Sequence, residues 1–287
     1  MTPVMSAPGD HEIASDPDPD TAERPPMQSP QSRWVPPLIW RLLLRLASLA
    51  IPLLCRLRVT GDVPDALRAG PMVLAGNHIG NFDPFVHVAA CARRRIAPRM
   101  MATGGLFAPP VVGHVMRASG HIPVYRGRAN VGDAVAHATE ALRQGSVVFI
   151  YPEGRIGLDP AMWPERPKTG LARMALATGA PVVPVAVWGT HEVIAYHGAG
   201  AMARTAFTAI FRRPVVRVHF GEPVDLSDLK LGGVGAAQRA SDRIMDAITA
   251  ALTPLRAGEL RLPRHVDPTR PLSTARVRHP PRRGHTA

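Results

Sequence analysis

From residue 71 onward the chain alternates short apolar runs with stretches of helical period, and few folds accommodate that pattern. The runs at 72–76, about 98–102, 121–125, 147–151, 182–187 and 215–220 read as strands. Between them, 84–94, 109–117, 131–144 and 168–178 read as helices, and a helical stretch over 235–255 closes the domain. Strands that alternate with helices build an α/β fold, a mostly parallel sheet flanked by helices on both faces. In such sheets ligands bind just beyond the carboxyl ends of the strands.

Four segments occupy such ends. His78 and Asp83 follow the first strand, within Ala75-Gly76-Asn77-His78-Ile79-Gly80-Asn81-Phe82-Asp83-Pro84. Arg126 follows the 121–125 run, Glu153-Gly154-Arg155 the 147–151 run, and Trp188-Gly189-Thr190 the 182–187 run. On a continuous helix His78 and Asp83 would sit about 140° apart. A loop between strand and helix removes that obstacle, because it can fold a carboxylate back onto an imidazole. The carboxylate fixes the ring tautomer and leaves the other nitrogen free to take a proton from an alcohol. Two readings stay open for the pair alone: a general base, or Asp83 as N-cap of the helix that Pro84 begins, with His78 idle in the loop. The arginines and the glycine turn on the same rim suit a phosphate-bearing alcohol, since a guanidinium matches phosphate and glycine admits close backbone approach.

The two ends differ from the middle. Residues 1–33 are acidic and Pro-rich, with almost no apolar periodicity, and residues 263–287 are basic; both read as disordered tails. The net charge of +12 is carried almost wholly by arginine, Lys168 and Lys230 being the only lysines. A basic balance suits an anionic partner. Nucleic acid is disfavoured, because aromatics make up only 5% and the arginines are scattered. Cys55 and Cys91 have no partner at ligand spacing, which points to a reduced compartment and to neither a disulfide framework nor a metal site. A Gly-x-Ser-x-Gly elbow is absent from the sequence, so no serine nucleophile is indicated.

Residues 34–58 are strongly apolar, with Arg41, Arg45, Ser48, Pro52 and Arg56 on one helical stripe. The stripe, the prolines and Trp34 and Trp40 suit a helix lying in a membrane interface. Packing on the protein's own core is the alternative, and a length near the roughly 20 residues of a span does not exclude crossing.

The blocks Asn77-His78-x4-Asp83, Gly120-x-Ile122-Pro-Val-Tyr-Arg126, Tyr151-Pro-Glu-Gly154 and Val183-Pro-Val-Ala-Val-Trp-Gly-Thr190 stand in an order and spacing that resembles the 1-acylglycerol-3-phosphate acyltransferase (PlsC-like) family of glycerolipid acyltransferases. The likeness covers residues 70–190 or so. It implies an acyltransferase domain over 59–262, with His78 as base and Asp83 orienting it. An acceptor hydroxyl then attacks a fatty acyl thioester, carried by acyl-CoA or acyl carrier protein, with no cofactor. Arg126, Glu153 and Gly154 would hold the phosphate of a lysophospholipid-type acceptor. The resemblance also implies a membrane-docking N-terminal helix, hence a peripheral enzyme of phospholipid biosynthesis on the cytoplasmic face of a phospholipid membrane. The third block departs from the family's Glu-Gly-Thr-Arg: here Arg155 and Ile156 follow Gly154. Lys168 resembles a basic residue the family places there and is a further candidate phosphate ligand. The departure bears on the acceptor, which leaves another lysophospholipid, glycerol-3-phosphate or a glycolipid open; a non-catalytic membrane-binding protein is the remaining alternative. Backbone amides near the His78 loop are the expected oxyanion donors.

Overall fold

The computed structural model describes residues 34–68, 70–125 and 131–273. Arg126 and the segments 1–33 and 274–287 lie outside the described residues. The elements run α1 (Leu38–Leu54), β1 (Arg56–Gly61), β2 (Met72–Gly76), α2 (Asp83–Arg93), β3 (Arg99–Thr103), α3 (Pro110–Ala118) and β4 (Ile122–Val124). They continue with α4 (Val131–Arg143), β5 (Val147–Ile150), α5 (Gly170–Thr178), β6 (Val182–Trp188), α6 (Ala199–Arg212), β7 (Val215–Phe220) and α7 (Ala236–Leu252). The seven strands form one sheet in the order β1-β7-β6-β2-β5-β3-β4. All neighbours pair in parallel except β6 and β7. The α/β reading of a mostly parallel sheet flanked by helices therefore holds.

β2, β5 and β6 are continuous apolar runs because helices cover both of their faces. Alternate residues of β2 divide between the two layers. Met72 and Leu74 pack with Val86 and Ala90 of α2, Ile51 of α1 and Phe149 of β5. Val73 and Ala75 pack with Leu142 of α4, Leu171 of α5 and Ile244 of α7. In the centre of the sheet β6, β2 and β5 run side by side and parallel, so their carboxyl ends open on the same rim.

Three boundaries differ from the sequence reading. Residues 56–58 belong to β1 rather than to the N-terminal helix. Arg56 and Arg58 there are exposed and alternate with buried Leu57, which is a strand period. Helix α6, absent from the sequence reading, buries only Ala209 and so carries a weak core-facing pattern. The basic tail does not begin at 263. Asp267 and Arg270 are buried, and Ser273 N donates to Leu158 O at 3.0 Å, so 263–273 folds onto the domain. Its composition is that of a tail; individual polar side chains pin it down.

Helix α1 divides its apolar residues between two surfaces. Trp40, Leu44 and Ile51 face inward, and Trp40 meets the His121 ring edge-on at 4.4 Å. Leu38, Leu42, Leu46, Leu49 and Leu53 form an outward row, with Leu49 72% exposed. Packing on the core and an apolar surface thus coexist on one helix.

Candidate active site

The rim over β6, β2 and β5 brings together residues 77–83, 151–157 and 189–191. Asn77 is fully buried and extends the β2–β6 pairing with its side chain: Nδ2 donates to Val187 O at 3.0 Å, and Val187 N donates to Oδ1 at 2.8 Å. That clasp fixes where the chain leaves the sheet, and His78 is the next residue.

Asp83 is 0% exposed. Its Oδ2 accepts from His78 Nδ1 at 2.8 Å, from Ile79 N at 2.6 Å and from Gly80 N at 2.8 Å. Its Oδ1 accepts from the Thr190 hydroxyl. Burial by itself would raise the Asp83 pKa; the hydrogen bond and charge of His78, the charge of His87 and the Thr190 hydroxyl hold it below the ordinary carboxylate value. An ionised Asp83 requires the proton on Nδ1 of His78, leaving Nε2 as the ring's basic nitrogen. The ring lies flat on Tyr151, with centroids 4.1 Å apart and planes 17° apart. The Tyr151 hydroxyl is 2.9 Å from His87 Nδ1, and burial pushes the phenol far above its usual pKa, so it stays neutral.

Asp83 is not the helix N-cap. Phe82 takes that position without a side-chain cap bond, and the Asp83 carboxylate turns back to the loop. Of the two sequence readings of the pair, the geometry is that of a carboxylate holding an imidazole.

The other sequence-derived site residues divide in two. Glu153 is buried, and its carboxylate faces inward: Oε1 accepts from His78 N at 3.0 Å and Oε2 from Glu165 N at 2.9 Å. Burial pushes it up to about 8, against the two backbone bonds that favour the anion. It braces the His78 loop, and a carboxylate so placed is not a phosphate ligand. Arg155 Nη2 pairs at 2.8 Å with Glu165, which is fully buried, so this guanidinium serves its own loop first. Gly154 adopts a left-handed φ of +71°, and a Cβ there would stand 3.4 Å from Cγ of Lys168, whose exposed side chain runs past the turn. Gly157 is tighter still, since a Cβ would lie 2.8 Å from Glu153 Oε2.

Three of the loop amides are already engaged and are not free to serve as oxyanion donors. His78 N is taken by Glu153, and Ile79 N and Gly80 N by Asp83. Thr190 and Asn77 stand in the sequence blocks without an assigned role, and the structure gives them one. Glu165 is the contribution that the sequence reading missed, because no local pattern marks it.

Residues 56–188 match the family model described as Acyltransferase. A chloroplastic 1-acyl-sn-glycerol-3-phosphate acyltransferase of Brassica napus is 26% identical over 151 residues, 52% of this chain and 42% of that protein. The 1-acyl-sn-glycerol-3-phosphate acyltransferase of Borreliella burgdorferi is 29% identical over 124 residues, 42% of this chain and 47% of that protein. The chain thus spans less than half the length of these relatives. The crystal structure of PlsC, the 1-acyl-sn-glycerophosphate (LPA) acyltransferase from Thermotoga maritima, superposes with a TM-score of 0.54 at 19% identity, over 76% of this chain and 80% of that one, and so shares the fold. The buried His78–Asp83 pair, the order of the four blocks and the matched span agree with one another, and the family that this chain resembles is that of the PlsC-like acyltransferases.

Proposed function

We propose that this protein is an O-acyltransferase that moves a fatty acyl chain from a thioester donor, acyl-CoA or acyl carrier protein, to the free hydroxyl of 1-acylglycerol-3-phosphate in phospholipid biosynthesis. The observation that carries the reading is His78 held through Nδ1 by a fully buried, ionised Asp83 at the carboxyl edge of the central strands. His78 Nε2 takes the hydroxyl proton as the oxygen attacks the thioester carbonyl. The tetrahedral intermediate then expels the thiolate, which takes that proton back from the imidazolium. Asp83 stabilises the positive ring while it lasts. No cofactor is needed for this sequence of steps.

Lys168, beside the Gly154 turn, is the basic side chain of the proposed acceptor site, and Arg126 is a candidate ligand from the sequence alone; Arg155 contributes less, being paired to Glu165. That pairing favours a second reading in which the chemistry is the same and the acceptor is another lysophospholipid, glycerol-3-phosphate or a glycolipid.

The lipid acceptor calls for docking at the cytoplasmic face of a phospholipid membrane. The outward leucine row of α1 supports this, extended by Phe207, Ile210 and Phe211 on neighbouring α6. Among the described residues no helix is long and apolar enough to cross a membrane, so we assign a peripheral attachment.

The test is a panel assay. Purified full-length protein in detergent, supplied with acyl-CoA, is offered 1-acylglycerol-3-phosphate, lysophosphatidylcholine, glycerol-3-phosphate and a monoacyl glycolipid. Preferred transfer to the first supports the proposal. Preference for any of the other three acceptors moves it to the second reading, and transfer to none rejects it.

A further inference from the structure

Arg270 belongs to none of the three rim segments, yet its guanidinium bonds two of them. The residue is 6% exposed. Nη1 donates to Ile79 O at 2.5 Å, and Nη2 donates to Gly157 O. Each of these carbonyls belongs to a peptide group whose N–H is already held by a carboxylate. In the Ile79–Gly80 peptide the N–H donates to Asp83 at 2.8 Å. In the Gly157–Leu158 peptide the N–H donates to Glu165 at 2.8 Å. The C=O and N–H of a trans peptide point in opposite directions. The first peptide is therefore clamped between Arg270 and Asp83, and the second between Arg270 and Glu165. The peptide between His78 and Ile79 is clamped likewise, with Gly157 N on its carbonyl at 2.8 Å and Asp83 on its N–H at 2.6 Å. Turning the first or second peptide breaks a bond at Arg270 and another at a carboxylate.

The segment that carries Arg270 is itself tied down on the same rim. Asp267 accepts from Tyr196 N at 2.5 Å and from Thr269 N at 2.9 Å. Thr269 Oγ1 accepts from His197 N at 3.0 Å, and Ser273 N donates to Leu158 O at 3.0 Å. The strap thus joins the chain after β6 to the loop after β5, with Arg270 between that loop and the one bearing His78.

We propose that Arg270 is a positioning residue for His78. It fixes the peptides that aim Ile79 N and Gly80 N at Asp83, and through Asp83 it fixes the imidazole. The kinetic part of this inference rests on the acyl-transfer reading above. The structural part does not.

The experiment uses full-length Arg270→Gln and Arg270→Lys, the second keeping the charge with an ammonium that cannot present the guanidinium's planar fork to both carbonyls. Hydrogen exchange is followed over residues 78–83 and, as the internal control, over β2 at 72–76. The expected result is exchange at least about tenfold faster over 78–83 with 72–76 unchanged, the Lys variant lying between Gln and wild type. Turnover should fall at least about tenfold in Arg270→Gln, with both substrate KM values within about twofold of wild type. Wild-type exchange over 78–83, or wild-type turnover, overturns the proposal. Equal acceleration at 72–76 in both variants also overturns it, because Arg270 would then be a general stabiliser. If the wild-type protein transfers no acyl group, the functional reading fails, and the exchange comparison alone decides the role of Arg270.

Discussion

Asp83→Asn separates charge from geometry at the His78–Asp83 pair. The aspartate accepts four hydrogen bonds, three on Oδ2 and one on Oδ1 from Thr190. An asparagine with its oxygen at the Oδ2 position still accepts from His78, Ile79 and Gly80. Its amide then faces the Thr190 hydroxyl, which can rotate to accept. Every bond survives and the tautomer of His78 is kept, so stability should change by no more than about 1 kcal/mol from hydrogen bonding. What is lost is the negative charge facing an imidazolium in the transition state. A hydrogen bond to a charged group contributes about 1.5–3 kcal/mol, so turnover should fall roughly ten- to a hundredfold. Asp83→Ala removes geometry as well. It leaves the buried N–H groups of Ile79 and Gly80 unsatisfied, at about 1–3 kcal/mol each, and should lower both stability and turnover. The assays are a urea denaturation curve and steady-state acyl transfer on the same preparations. Wild-type turnover in a stably folded Asp83→Asn would refute the role assigned to the charge, and an equally stable Asp83→Ala would refute the role assigned to the loop bonds.

Other outcomes follow from the same structure. Burial depresses the pKa of His87 and His121 to about 4 and that of His191 to about 3. Each binds its proton more readily in the unfolded chain, so stability should be full above about pH 6.5 and fall as the pH drops towards 4. His191→Phe should flatten that decline in urea midpoints, and an unchanged pH dependence would contradict the assignment. Leu42→Ser, Leu46→Ser and Leu49→Ser combined should release the protein from anionic vesicles in flotation with little loss of stability, whereas Trp40→Ser and Leu44→Ser should unfold it, because those two face the core. Retained flotation of the first variant would remove α1 from the docking surface. Lys168→Ala should raise the acceptor KM about ten- to a hundredfold. Arg155→Ala should chiefly lower the melting temperature, because it leaves Glu165 buried without its cation; the reverse pattern would give the phosphate to Arg155.

Much of this architecture was legible in the sequence wherever a local period coincides with burial. β2, β5 and β6 are apolar on both faces, and α4 and α5 carry clear core-facing stripes. The His78–Asp83 pair was legible because its loop lies between a readable strand and a Pro-started helix. Helix α6 was not, since Phe207, Ile210 and Phe211 point to solvent and spoil any core-facing period. The inward turn of Glu153 and the pairing of Arg155 depend on Glu165, and the anchoring of 263–273 depends on Asp267 and Arg270. Contacts of that kind are made by single polar side chains across irregular loops, some of them between distant segments, and leave no periodic trace.

The central claim is that His78 is the base for acyl transfer to a lysophosphatidate hydroxyl. Its most direct measurement is single-turnover transfer from acyl-CoA to 1-acylglycerol-3-phosphate by full-length wild type and His78→Ala, with matched melting temperatures establishing that both are folded. The account predicts that the variant loses at least about 10²–10⁴-fold in rate. A folded His78→Ala protein that transfers the acyl group at the wild-type rate would contradict it.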